Sequence, residues 1–307
     1  MPLLDKLREQ YGVGPVCSEL HIAPSTYYHC QQQRHHPDKR SARAQHDDWL
    51  KREIQRVYDE NHQVYGVRKV WRQLLREGIR VARCTVARLM AVMGLAGVLR
   101  GKKVRTTISR KAVAAGDRVN RQFVAERPDQ LWVADFTYGV PGVQGGHGCL
   151  NEPRVCLEYV AFIIDVFAGY IVGWRVSSSM ETTFVLDALE QALWARRPSG
   201  TIHHSDKGSQ YVSLAYTERL KEAGLLASTG STGDSYDNAM AESINGLYKA
   251  EVIHRKSWKN RAEVELATLT WVDWYNNRRL LGRLGHTPPA EAEKAYYASI
   301  GNDDLAA

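Results

Sequence analysis

Three carboxylates are the residues best suited to chemistry. Asp135 lies inside LWVADFTY (131–138), Asp206 inside HSDKGSQY (204–211) and Glu242 inside YDNAMAES (236–243). Phosphoryl transfer asks little covalent help of a protein. It needs cations that neutralise the phosphate and activate the attacking oxygen, and hard cations such as Mg²⁺ prefer carboxylate oxygens. The three acids suit a site for two Mg²⁺ ions, with Mn²⁺ as a substitute. Asp135, held rigidly by a strand, is expected to bridge both ions, Asp206 to hold the first and Glu242 the second. Asp is disfavoured inside strands, so Asp135 needs a reason to be there. Asp206 sits in a Gly-containing loop, where shaping a turn is the plain alternative. Glu242 has an ordinary helix-surface role as its alternative. Asn238, Glu242, Asn245 and Lys249 follow one another at steps of four, three and four, so they share one helical face. Such a face fits a catalytic or DNA-facing surface, or an exposed salt-bridged one, and Asp237 is placed to cap the helix. Asp165 closes a strand beside a turn, which suits a turn-forming role, and His203 and His204 are expected to pack or position the Asp206 loop.

These acids need a frame. After Pro128 the sequence reads as α/β. Strands are expected at Leu131–Tyr138, 159–166 and 170–176, with a tight turn at Ala168-Gly169. A helix at 181–194, a strand at 201–204, a helix at 214–223, a strand at 225–228 and a long helix from about Asn238 follow. Three strands, then helix, strand, helix, strand, helix is the order of a ribonuclease-H-like core, a mixed five-stranded sheet with helices.

Upstream the pattern is helical. Trp49, Leu50, Ile54, Val57 and Tyr58 start one amphipathic stripe from Asp47. Val67, Val70, Trp71, Leu74 and Leu75 form a second, stopped by Gly78. A third runs over 81–93 to Gly94. Short Gly-containing turns between helices are the pattern of an all-α helix-turn-helix domain, whose third helix would present Arg83, Thr85 and Arg88 to double-stranded DNA. A plain three-helix bundle with a solvated basic face is the alternative. A shorter helix-turn-helix candidate, with a Ser-capped second helix, lies at 16–28. Residues 100–128 form a basic linker in which Lys102, Lys103 and Arg105 are placed to follow a phosphate backbone. The expected division is therefore 1–45, 46–99, 100–128, 129–256 for the catalytic core, and 257–307 for a C-terminal helical tail.

Charge follows this division. Residues 1–128 carry 25 basic against 12 acidic side chains, a net of +13, and residues 129–307 carry 16 against 22, a net of −6. A basic half suits a polyanion partner, because Lys and Arg displace condensed counterions. No run approaches the roughly 20 apolar residues that span a membrane, no secretory signal pattern opens the chain, and the five scattered cysteines suggest neither disulfides nor structural zinc. The expected location is the cytoplasm.

At this point a resemblance becomes specific. Asp135 and Asp206 are separated by 70 residues, and Asp206 and Glu242 by 35. With WVADFTY, HSDKGSQY, DNAMAES and Lys249 seven residues beyond Glu242, the chain resembles the D,D(35)E core of retroviral integrases. It is still more similar to the OrfB-type transposases of bacterial insertion sequences in the IS-three family. WYNNRR (274–279) through LGHTP (284–288) resembles that family's tail, although Leu281 stands where the family commonly has His. The resemblance implies Mg²⁺-dependent hydrolysis freeing a 3′-OH, attack of that hydroxyl on another phosphodiester, and DNA contact by Lys249. It also implies a bacterial, nucleoid-associated protein, a homo-oligomer when DNA ends are synapsed, and an upstream-frame OrfA protein as partner. The Gly- and Pro-rich stretch 139–158 reads as an inserted loop where the family has a short hairpin.

Overall fold

The computed structural model describes residues 2–99, 119, 123–138, 158–229 and 239–306. Lys102, Lys103, Arg105, Asp237, Asn238 and residues 139–157 of the expected loop lie outside the described residues.

Three short helices, α1 (Pro2–Tyr11), α2 (Val13–Glu19) and α3 (Pro24–His35), open the chain. They close on a small core of Leu4, Val16, Cys17 and Tyr27. The sequence reading missed α1. It also misplaced the start of α3, where Ala23 is the N-cap with no side-chain cap and Pro24 takes the first helical position. The larger unit is α4 (Ala42–Glu60), α5 (Val67–Arg76) and α6 (Arg83–Val92). Ser41, whose hydroxyl accepts from Ala44 N at 3.3 Å, starts α4 five residues earlier than the apolar stripe indicates. Leu50, Ile54, Val57, Val70, Leu74, Val86, Leu89 and Met90 fill this unit's interior.

The sheet contains β1 (Leu131–Tyr138), β2 (Tyr159–Asp165), β3 (Tyr170–Ser177), β4 (Ile202–Ser205) and β5 (Leu226–Thr229), in the order β3-β2-β1-β4-β5. The β3-β2-β1 meander is antiparallel, while β4 and β5 join β1 in parallel. The helices α7 (Thr182–Arg196), α8 (Leu214–Glu222), α9 (Ala239–Glu251), α10 (Arg261–Asn277) and α11 (Pro289–Ala306) complete the chain. This is the mixed five-stranded, ribonuclease-H-like order expected from the strand and helix patterns. No helix among the described residues is long and apolar enough to cross a membrane.

Alternation along β1 divides the interior into two layers. Trp132 and Ala134 pack with Phe184, Val185, Ala188 and Leu189 of α7. Leu131 and Val133 join Phe162, Ile244, Tyr248 and Trp271 in the layer under α9 and α10. Gly173 of β3 lies directly against α7. A Cβ there would run into the Ala188 carbonyl oxygen and lie 3.1 Å from Ala192 Cβ. Gly173→Ala is expected to destabilise the protein by about 1–3 kcal/mol, the usual cost of overpacking. Chemical denaturation measures this, and an unchanged midpoint would mean that α7 moves aside freely.

The layer under α9 and α10 continues without a break into α4–α6. Trp274 Nε1 donates to Asn61 Oδ1 at 3.1 Å. The Tyr65 hydroxyl accepts from Leu280 N at 2.8 Å and donates to the Arg278 carbonyl oxygen at 3.3 Å. The helical unit is thus seated on the segment that follows α10, a contact between residues more than 200 positions apart that no local pattern reveals.

Candidate active site

Strand register brings the first two acids side by side. Ala134 of β1 faces Ser205, the last residue of parallel β4, so Asp135 and Asp206 each follow this last paired position, Asp135 still within β1 and Asp206 at the start of the loop beyond β4. Asp135 continues the row of Leu131 and Val133 and therefore points towards α9. There its Oδ2 accepts from Asn245 Nδ2 at 2.9 Å, and its Oδ1 accepts from Phe136 N at 2.8 Å. Asp206 turns its loop by accepting from Gly208 N at 3.0 Å. The turn-shaping role expected as the plain alternative is thus present in the structure. Glu242 lies one helical turn before Asn245 on the same face of α9.

The electrostatics are those of crowded acids. Burial, then the charge of Asp206, and more weakly that of Glu242, push the Asp135 carboxyl up to about 8, against the pull of the Phe136 N–H. Burial also raises Asp206, although its rim is solvent-exposed, and the Gly208 N–H and the nearby His204 oppose this rise. Partial burial lowers Lys249, while Asp135 pulls it the other way. Like charges converging at the edge of an apolar layer favour either a proton or a cation. The donors are hard oxygens of the kind that Mg²⁺ takes, so the residues fit a divalent ion. Asp135 and Asp206 are brought together and Glu242 lies within electrostatic reach. Among the described residues, no three His, Cys, Asp or Glu side chains are already gathered tightly enough to hold an ion.

The remaining expected residues fall in several places. Arg83 is exposed and Thr85 half-buried on α6. Arg88 is exposed but grips Asp47 through two bonds of 2.8 and 2.9 Å. Asp165 takes the turn role, accepting from Asp129 N at 2.6 Å and Phe167 N at 2.9 Å. His203 and His204 are buried beneath the Asp206 loop. His203 Nε2 meets the Tyr216 hydroxyl at 3.1 Å, and His204 Nδ1 meets Ser228 Oγ at 3.0 Å. Burial depresses His203 to about 4, which keeps it neutral.

Two site residues escaped sequence reasoning. Asn245 was visible only as a member of a polar helix face, yet it is the side chain that fastens α9 to Asp135. Tyr211 has a buried ring packed near Phe136 and Tyr216. Burial, and then the charges of Tyr216, Asp135 and Asp206, hold its hydroxyl well above its ordinary pKa. An aromatic residue closing an otherwise polar loop was the available signal.

Comparison with known proteins identifies the family. The integrase core domain family matches residues 125–235, with a second integrase core match at 223–289, and an HTH-like domain matches 45–103. The chain is 92% identical over 307 residues to the transposase for insertion sequence element IS629 of Shigella sonnei, covering 100% of both chains. It is 87% identical over 198 residues to the transposase for insertion sequence element IS3411 of Escherichia coli, covering 64% of this chain and 78% of the relative. Among solved structures, the HTLV-2 integrase catalytic core domain in complex with magnesium aligns with a TM-score of 0.40 at 12% identity, covering 55% of this chain and 99% of that one. The chain belongs to the OrfB-type transposases of bacterial insertion sequences.

Proposed function

We propose that the chain cleaves DNA at the ends of an insertion sequence and joins the freed 3′-OH to target DNA, using Asp135, Asp206 and Glu242. The observation that carries this reading is the proximity of Asp135 in β1 to Asp206 just beyond parallel β4, with α9 fastened to Asp135 through Asn245. Two Mg²⁺ ions, or Mn²⁺ in their place, would supply charge neutralisation on the phosphate and activation of the attacking oxygen. Asp135 would be shared between the ions, Asp206 would hold the first and Glu242, from the first turns of α9, the second. Asn245 orients the Asp135 carboxylate. Lys249, two turns along from Glu242 on the same helix, is assigned to the phosphate backbone near the reacting end. Residues 46–99 and the basic linker 100–128, including Lys102, Lys103 and Arg105, are read as the DNA-holding part. In this reading the active form is at least a dimer when two ends are synapsed, and an upstream-frame OrfA protein is a partner.

A strand-transfer assay on a labelled element end tests the proposal. Cleavage and joining that require Mg²⁺ are expected. Tight DNA binding without chemistry would instead mark a repressor-like protein, and cleavage of an RNA–DNA hybrid without joining would mark a hydrolytic nuclease.

A further inference from the structure

The helix-turn-helix pattern directs attention to α6 as the helix that meets DNA, but the free cationic surface lies on α5. Arg68, Arg72 and Arg76 recur every four residues along α5 and are all exposed. Arg76 is taken by Glu291 of α11, with bonds of 2.7 and 2.6 Å. Arg68 and Arg72 have no carboxylate partner among the described residues, and Arg72 rests on the ring of Trp71 at 4.7 Å. Lys69 lies beside them, over the Tyr65 ring. On α6, by contrast, Arg88 is already held by Asp47 in a two-bond pair, which leaves Arg83 as that helix's uncommitted cation among the described residues.

The tail lies within electrostatic reach of this stripe. His286 stands in a bridged turn, with Leu281 paired to Thr287. After burial, the charges of Arg72, Arg68 and Lys69 are what push its pKa down. Geometry matches a nucleic-acid backbone. Arg68 and Arg72 are separated by about 6 Å of helix rise, close to two steps of the roughly 3.4 Å axial rise per phosphate on one strand. The stripe also has a fixed relation to the acids, because Glu251 at the far end of α9 lies close enough to act on Lys69. Glu251 lies nine positions beyond Glu242 along α9, or about 14 Å.

We propose that Arg68 and Arg72 of α5 form the track that grips the phosphate backbone of duplex DNA, and that α6 is not the main backbone-binding helix. This rests on the reading above that the chain binds DNA. Its test is the salt dependence of binding by the full chain to a duplex of random sequence. Each lost phosphate contact flattens the plot of log affinity against log salt by about 0.9. Arg68→Gln with Arg72→Gln is expected to flatten it by about 1.8, at unchanged melting temperature because both side chains are exposed. Arg68→Lys with Arg72→Lys keeps the charges and should keep the slope. Arg83→Gln with Arg88→Gln should change it by less than one unit. An unchanged slope in the Arg68/Arg72 glutamine variant, or a larger change from the Arg83/Arg88 pair, overturns the track while leaving the DNA-binding reading intact. Wild-type protein that shows no salt-dependent binding overturns that reading itself, and the track with it.

Discussion

Asp135→Asn is expected to abolish strand cleavage and joining, with a loss of at least about a thousandfold, while the protein still folds and binds DNA. In the ion-bridging role proposed for Asp135, its removal forfeits several kcal/mol of transition-state stabilisation, and about 4 kcal/mol is a factor of a thousand. The fold should survive because the introduced amide fits its surroundings. Its oxygen still accepts from Phe136 N, and its NH₂ can donate to Asn245 once that amide turns over. Asn245 Oδ1 is buried and has no hydrogen-bond partner in its present orientation. Stability should even gain. In the metal-free protein, burial and then Asp206 raise the Asp135 carboxyl from 3.8 to about 8. Between roughly pH 4 and pH 8 the folded chain keeps a proton that the unfolded chain has released, so Asp135 costs stability increasingly as pH rises through that window. Relative to Asp135→Asn, metal-free wild type should therefore melt progressively earlier from about pH 5 to about pH 8. Added Mg²⁺ should raise the melting temperature of wild type, since a ligand that binds only the folded state stabilises it, and should do so much less for the variant. Thermal scans across pH with and without Mg²⁺ read both effects. A variant that tracks wild type at every pH and gains equally from Mg²⁺ would remove Asp135 from the ion site.

Much of this site was legible before the fold was known, for a physical reason. Asp135 stands out because an acid interrupts a β-forming run, and the period-two alternation of LWVADFTY already places it on the face of Leu131 and Val133. The strand order of the core follows from local patterns in the same way. What was not legible depends on contacts between distant segments. Nothing near Tyr65 or Asn61 announces that they meet Leu280 and Trp274. Nothing in α6 announces that Arg88 is already committed to Asp47, 41 positions earlier. Starts of helices were misjudged where a cap rather than an apolar stripe decides them, as Ser41 does for α4. Tyr211 was overlooked because its relation to the acids depends on a loop fold that sequence periodicity does not describe.

Arg279→Met is expected to destabilise the protein by about 3–5 kcal/mol, the cost of leaving one partner of a buried ion pair uncompensated. Arg279 and Glu251 are paired with side chains only 3% and 4% exposed. Trp271 Nε1 gives Glu251 its second partner at 3.0 Å. The guanidinium lies over the rings of Trp274 and Tyr275 at 5.4 and 5.8 Å, and its Nε and Nη1 have no acceptor. An incompletely satisfied pair of this kind is poor evidence for net stabilisation, because desolvation can exceed the attraction. Replacing both partners, Arg279→Met with Glu251→Leu, should therefore recover most of the stability that the single change loses. Denaturant unfolding of the two single variants and the double closes the cycle. A loss below about 1 kcal/mol in Arg279→Met would mean that water reaches Glu251 and the pair is not truly enclosed. The position of the pair gives the cycle a functional reading. Glu251 ends the helix that carries Glu242 and Asn245, while Arg279 immediately precedes Leu280, on which Tyr65 of the helical unit is seated. If the pair fixes register between the helical unit and α9, the double variant should be stable yet join DNA ends more slowly at unchanged binding. If it joins at the wild-type rate, packing alone sets that register and the charges are dispensable to it.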